Sequence, residues 1–192
     1  MVHPIPAESP RLTFESQIRD CFGRAAYSHK THEKMAERKT RHLGYTKWAL
    51  IVLSGLTTGG AIGALIAKTD PRYAVATAVL SFASLVVNSY MKNLDPGAAA
   101  QKHREAGYKL WNIRERYLSL LTDIRDEAIP LDRLRKDRNQ IQADLLKVYS
   151  SSPQTDGRAY GEAQTALQKN EDLTFSEKEL DDLLPASLKR TQ

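Results

Sequence analysis

Two stretches decide the fold: WALIVLSGLTTGGAIGALIA at residues 48–67 and YAVATAVLSFASLVVNSYM at residues 73–91. The first is twenty residues without a formal charge and the second nineteen, joined by Lys68-Thr69-Asp70-Pro71-Arg72. Twenty helical residues at ~1.5 Å rise reach across the ~30 Å hydrocarbon core of a bilayer. A soluble helix of that length carries charge on one face, and these carry it on none. Trp48 and Tyr73, with Tyr45 and Tyr90, stand where amphipathic rings favour the lipid–water interface. The pattern predicts a helical hairpin that crosses a membrane twice, with spans 48–67 and 73–91. The competing fold is a hairpin buried in a soluble bundle. A signal peptide fits poorly, because the first apolar segment begins far into the chain and a second follows at once.

Flanking charge sets the expected orientation. Lys30, Lys34, Arg38, Lys39, Arg41 and Lys47 precede the first span, and Lys92, Lys102, Arg104 and Lys109 follow the second. The connection has Lys68 and Arg72 against Asp70. Basic residues stay on the cytoplasmic side, so both termini are expected there. The same distribution accounts for a net charge of +5 through the bilayer and its anionic lipid, and nucleic acid is not expected as a partner. A lone Cys21 cannot form an internal disulfide, as suits a reducing compartment.

Within the first span, Gly55, Gly59 and Gly63 recur every four positions. Small residues at this spacing let helix backbones approach closely in lipid, which marks these three as candidate helix-packing positions. The second span carries Thr77, Ser81, Ser84 and Asn88 on one face. That stripe either hydrogen-bonds within the hairpin or between protomers, or lines a pore. One hairpin cannot enclose water, so a pore needs several copies about an axis.

Before the hairpin, Pro4, Pro6 and Pro10 mark a tail. Ile18, Phe22, Ala25, His29, His32, Ala36 and Leu43 then trace one face of a helix, and Gly44 offers a bend before the first span. After the hairpin, Asp95 is placed to cap a helix with Pro96 at its first position. A heptad run follows: Ala99, His103, Ala106, Leu110, Ile113, Tyr117, Leu120, Ile124. Pro130 breaks it, and Leu131, Leu134, Arg138, Ile141, Leu145 and Val148 resume it. Leu110, Ile113, Tyr117, Leu120, Ile124, Leu134, Ile141 and Leu145 are the candidate core of a bundle or an oligomer. Further on, Asp156-Gly157 reads as a breaker, Arg158 to Asn170 as a polar helix, and Thr174 to Glu177 as a capping box ahead of Leu180, Leu183 and Leu184. The end, Lys189 to Gln192, reads as frayed.

The fold class that results is an all-α membrane protein, a two-helix transmembrane hairpin with long cytoplasmic helices forming a helical bundle or coiled coil. Its expected layout is a flexible tail over 1–10, a cytoplasmic amphipathic helix over 11–47, the hairpin over 48–91, long cytoplasmic helices over 92–149, and short C-terminal helices with a tail over 150–192. Catalytic motifs are missing: there is no phosphate-cradling loop, no Gly-x-Ser-x-Gly elbow and no His-Glu-x-x-His. His29, His32 and Glu33 are helical neighbours that could touch one metal, but a packed or solvated face explains them better. No enzyme, no metal and no cofactor is expected.

The run Lys30-Thr31-His32-Glu33-Lys34-Met35-Ala36-Glu37-Arg38, then Lys47-Trp48 and a small-residue span, resembles the SLATT family of two-transmembrane effector domains associated with nucleotide second-messenger systems. Residues Gln101 to Ala106 and Leu110 to Ile124 are similar to that family's helix after the membrane, and Asn170 to Ser176 with Leu183-Leu184-Pro185 to its ending. The resemblance covers nearly the whole chain after residue 15. It implies a bacterial inner-membrane effector of antiviral or conflict systems, one that disrupts the membrane when activated and ends in arrest or death of the cell. It implies as activator a cyclic nucleotide or a nucleotide-synthesising or nucleotide-sensing partner protein. It brings no catalytic residues, and no recognisable nucleotide-sensing domain is attached. The expected function is an oligomeric, pore-forming effector built from copies of this chain. The alternative is a membrane-anchored scaffold or adaptor that recruits a cytoplasmic partner through its helices.

Overall fold

The computed structural model describes residues 9–67 and 70–189, and these form six α-helices, a short 3-10 turn at Ala186–Leu188 and no strand. The tail over 1–8, Lys68 and Thr69 of the connection, and the end at 190–192 lie outside the described residues.

Helix α1 (Pro10–Ala67) opens with Pro at its first position and the Ser9 hydroxyl accepting from the Leu12 N–H at 3.3 Å. It runs without a break through Gly44. One interior glycine costs a helix only about 1 kcal/mol, too little to interrupt it. Helix α2 (Pro71–Leu94) starts from Asp70, whose carboxylate accepts from the Arg72 N–H at 2.9 Å. A single residue, Asp95, separates it from α3 (Pro96–Arg125). Asp95 sits at φ 31°, donates its N–H to the Met91 carbonyl at 3.0 Å to end α2, and accepts from the Ala98 N–H at 2.9 Å to begin α3. Aspartate is among the few residues that tolerate this left-handed backbone.

The turn before Pro130 takes Glu127 to φ 56°, and α4 (Leu131–Ser151) returns along α3, with Arg116 paired to Asp144 at 2.9 Å. The Asp144 carboxyl is held well below the usual range by Lys147, Arg116 and Gln140. Arg11 donates to the carbonyls of Ile124 (2.9 Å) and Asp123 (3.4 Å), acceptors that the end of α3 leaves open, and to that of Ile129 (3.3 Å) in the turn after it. Asp156 caps α5 (Gly157–Gln168) through the Ala159 N–H at 2.8 Å, so Asp156-Gly157 opens a helix. Ala159, Ala163 and Ala166 are buried, which gives α5 a packed face that its polar sequence conceals. The capping box of α6 (Glu177–Leu183) joins Ser176 to Glu179 and not Thr174 to Glu177, because Ser176 has the extended backbone of a cap and Glu179 the third helical position.

The chain divides into two compact units. The bundle unit takes α1 up to Lys34 and everything from Ala106 onward. Its core joins Phe14, Ile18 and Ala25 of α1, Ile113, Tyr117, Leu120 and Ile124 of α3, and Leu134 and Ile141 of α4, with Leu145 partly buried against them. Leu110 is fully buried as well. The heptad face is therefore covered by the chain's own α1 and α4. Burial pushes the Tyr117 phenol up to about 12, with Cys21 beside it adding to the rise.

An ion cluster fastens the segment after α5 to α1. Lys30 is 7 % exposed; its ammonium lies 2.8 Å from Asp172 and 2.9 Å from Glu33, and His29 Nε2 lies 3.2 Å from Glu33. Burial is the largest influence on Lys30 and pulls it down, but the hydrogen bonds to Asp172 and Glu33 and the charges of the two carboxylates together outweigh it, and the ammonium ends above its ordinary value. Glu33 is lowered from 4.5 to about 2, first by the hydrogen bond from His29, against burial, and then by Lys30. A carboxyl depressed on folding stabilises the folded state above its unfolded pKa, and that contribution is lost as pH falls from about 4.5 towards 2. Glu33→Gln should therefore flatten the fall in urea midpoint over that window. Parallel curves for the two proteins would remove Glu33 from the account.

Candidate functional site

The hairpin unit runs from Met35 to Glu105. None of the residues in its two apolar windows is buried within the structure. Ile51, Leu56, Leu65, Ile66, Val75, Val79, Phe82 and Leu85 stand out on several sides of the pair. A soluble hairpin would hide this surface, whereas hydrocarbon accepts it.

The two spans meet along a seam. Half-covered residues trace it on α1 as Leu50, Leu53, Thr57, Gly60, Gly63 and Ala64, and on α2 as Thr77, Leu80, Ala83, Ser84, Val87 and Met91. Gly60 is the tightest point: a Cβ there would lie 2.6 Å from the Thr77 hydroxyl oxygen. A Cβ at Gly63 would lie 2.8 Å from the Tyr73 ring. Gly55 and Gly59 have nothing within 4 Å of that position. The three sequence-predicted glycines thus divide: Gly63 serves the seam, while Gly55 and Gly59 face open space. Gly60 was not singled out by its sequence. The signal that could have found it is the spacing of Leu53, Thr57, Gly60 and Ala64 by four, three and four, which places them on one face.

The polar stripe also divides. Thr77 and Ser84 lie half covered at the seam, and Ser81 and Asn88 are exposed. Most of the donors in the stripe are spent on the helix itself. Thr77 donates to the Tyr73 carbonyl (2.8 Å), Ser84 to the Leu80 carbonyl (3.0 Å) and Asn88 Nδ2 to the Ser84 carbonyl (2.9 Å). On α1, Thr57 and Thr58 do the same to Leu53 (2.8 Å) and Ser54 (2.9 Å). Thr77 and Ser84 retain hydroxyl lone pairs, and Asn88 retains its carbonyl oxygen and the second N–H of its amide. At the other end of the unit, His42 meets Tyr90 edge to face at 6.3 Å, Arg104 donates to the Thr40 hydroxyl at 2.7 Å, and His103 is buried.

His29 and Glu33 of the bundle unit are paired with each other, and among the described residues no group of three His, Cys, Asp or Glu side chains is arranged to hold a metal ion. Lys30 and Asp172, which anchor that cluster, were not legible as a pair because 142 positions separate them.

The chain matches no curated protein and no solved structure. One family model does match, over residues 14–179, which is most of the chain. With a two-span hairpin of this kind and that match, the chain belongs to the SMODS and SLOG-associating 2TM effector domain family, in its family 4.

Proposed function

We propose that the chain is a non-enzymatic membrane effector that assembles with copies of itself and opens an ion path when activated, within a bacterial nucleotide-signalling defence system. Its hairpin crosses the inner membrane with both termini in the cytoplasm. Family membership supports the coarser part of this reading, a membrane effector associated with defence systems. The observation that carries the finer part is the exposure of Ser81 and Asn88 on an uncharged span. A polar face that its own hairpin leaves uncovered in lipid needs water or another helix against it. Several hairpins around an axis supply both. Gly55 and Gly59, with nothing near them, leave room for a neighbouring helix to come close.

Activation biases closed against open packing of the hairpins, and depolarisation then arrests or kills the cell. The activator is a cyclic nucleotide or a nucleotide-synthesising or nucleotide-sensing partner. Because the heptad core is filled by the chain itself, copies meet through the hairpin or through outer faces of the bundle.

The test is ion and dye release from liposomes holding the purified protein, with and without cyclic nucleotides. Gly59→Leu should leave the single chain folded, reduce oligomer size in detergent and abolish release. Asn88→Leu should change conductance while expression is kept. Unchanged oligomer size in the first variant and identical flux in the second would overturn the pore. The adaptor reading is favoured by one observation: Tyr108 and Trp111 stand exposed on the face of α3 away from the core. It predicts no release under any condition, together with a partner lost on Trp111→Ala.

A further inference from the structure

A cavity of about 430 Å³ opens in the bundle unit between α1, the end of α4, the loop after it and α5. Its size falls within the range of small-molecule sites. No Lys, Arg, Asp or Glu lines it. Its one imidazole, His32, is buried and already has a partner, so the walls hold no permanent charge for a phosphate or carboxylate and favour a neutral group. Three of its walls are tyrosine rings, Tyr27, Tyr149 and Tyr160. Aromatic faces suit a flat ring that stacks.

The walls are held in place before any ligand arrives. Tyr160 stacks on Tyr27 with centroids 5.6 Å apart, and the Tyr27 hydroxyl accepts from Gln168 at 2.8 Å. The Tyr149 hydroxyl and Ser28 share a hydrogen bond of 2.8 Å. Rings fixed in this way lose little freedom on binding. Gln154 and Thr155, from the loop after α4, add an exposed amide and an exposed hydroxyl to the lining. An amide presents donors and an acceptor side by side, which matches the mixed edge of a nucleobase. A sugar could use the same hydroxyls and amide, so ribose alone is the control for recognition of the base.

We infer that this cavity is a nucleoside site, in which the base enters among Tyr27, Tyr149 and Tyr160, Gln154 reads its edge, and any phosphate stays outside in solvent. This rests on the proposed function only in making the bound nucleotide the activating signal; the binding itself does not depend on a pore. Recognition through the base has a consequence for specificity. Affinity is set by which base is present, and the number of phosphates matters little.

The experiment is equilibrium binding to the full chain in lipid nanodiscs, with adenosine, guanosine, cytidine, uridine and ribose as probes, and with the 5′-monophosphate of the tightest nucleoside. At least one nucleoside should bind with a dissociation constant of about 1 mM or tighter, its monophosphate should bind within about threefold of it, and ribose should not bind. Tyr160→Ala should weaken binding at least about tenfold. Gln154→Ala, at an exposed loop position where folding is not at stake, should also weaken it and alter the preference among bases. No binding by any nucleoside, ribose binding as well as the nucleosides, more than tenfold tightening by the phosphate, or unchanged affinity in Gln154→Ala and Tyr160→Ala would each overturn the site. Nucleoside binding without liposome release leaves the site standing and counts against the pore. Release that persists in both variants while binding is lost separates the site from activation.

Discussion

A Gly60→Leu chain should fail to hold its hairpin closed, with an unfolding midpoint in detergent well below that of the parent. The reason is local. A Cβ at position 60 would stand 2.6 Å from the Thr77 hydroxyl oxygen, and that oxygen cannot swing aside without giving up its 2.8 Å bond to the Tyr73 carbonyl. Threonine is also stiff at χ1. Overpacking at such a point costs about 1–3 kcal/mol for extra methylenes, and leucine adds more than one. Alanine is the finer probe. Gly→Ala in a helix gains about 1 kcal/mol of propensity, so Gly60→Ala alone should be mildly destabilising as clash and propensity oppose each other. Thr77→Ala removes the offending atom, and the next nearest, the Cβ of residue 77, lies 3.7 Å away in ordinary contact. The double variant should then recover to the parent midpoint or exceed it. Additive losses, with no rescue, would mean that the seam does not run through Gly60.

Tyr117→Ala should cost the bundle unit about 3–5 kcal/mol, the usual loss when a large buried aromatic is removed from a core. Tyr117 is 1 % exposed and is the largest of the fully buried side chains. Single domains hold only about 5–15 kcal/mol in all, so this one change takes about a fifth or more of it. Tyr117→Phe keeps the ring and drops the hydroxyl beside Cys21, and should cost no more than about 0.5–1.5 kcal/mol. Guanidinium unfolding followed by Trp111 fluorescence in a Trp48→Phe background reads the bundle without the hairpin. Leu118→Ala, one position along and half exposed, is the control. Equal losses at 117 and 118 would contradict the core described above.

The hairpin was legible in the sequence because lipid imposes its demand on every face of a helix, so no partner has to be known. The heptads were legible as a face but not as an interface. Periodicity says that Leu110 to Ile124 must be covered, and it does not say by what. The cover turned out to be Ile18 and Ala25 of α1 with Leu134 and Ile141 of α4, residues with weak or distant signals. Helix α5 was read as polar because alanine contributes little to an apolar pattern, yet Ala159, Ala163 and Ala166 form its packed face. The candidate site was legible in part. Thr77, Ser81, Ser84 and Asn88 do share a side of α2, but which of them the seam covers depends on the rotation of α2 against α1, and spacing within one helix carries no such information. The tyrosine cavity draws on residues from 27 to 160, and only the fold brings them together.

Asp95 closes one helix and opens the next with a single residue. Mechanically that joint is a crank pin without slack. A loop of several residues would absorb a turn of α2 about its axis, whereas one residue has only two soft dihedrals with which to do so. A rotation of α2 that carries Ser81 and Asn88 to a new bearing must therefore swing the first turns of α3 as well. Torque entering at α2 reaches the start of α3 through that one residue, and a lengthened joint would absorb it.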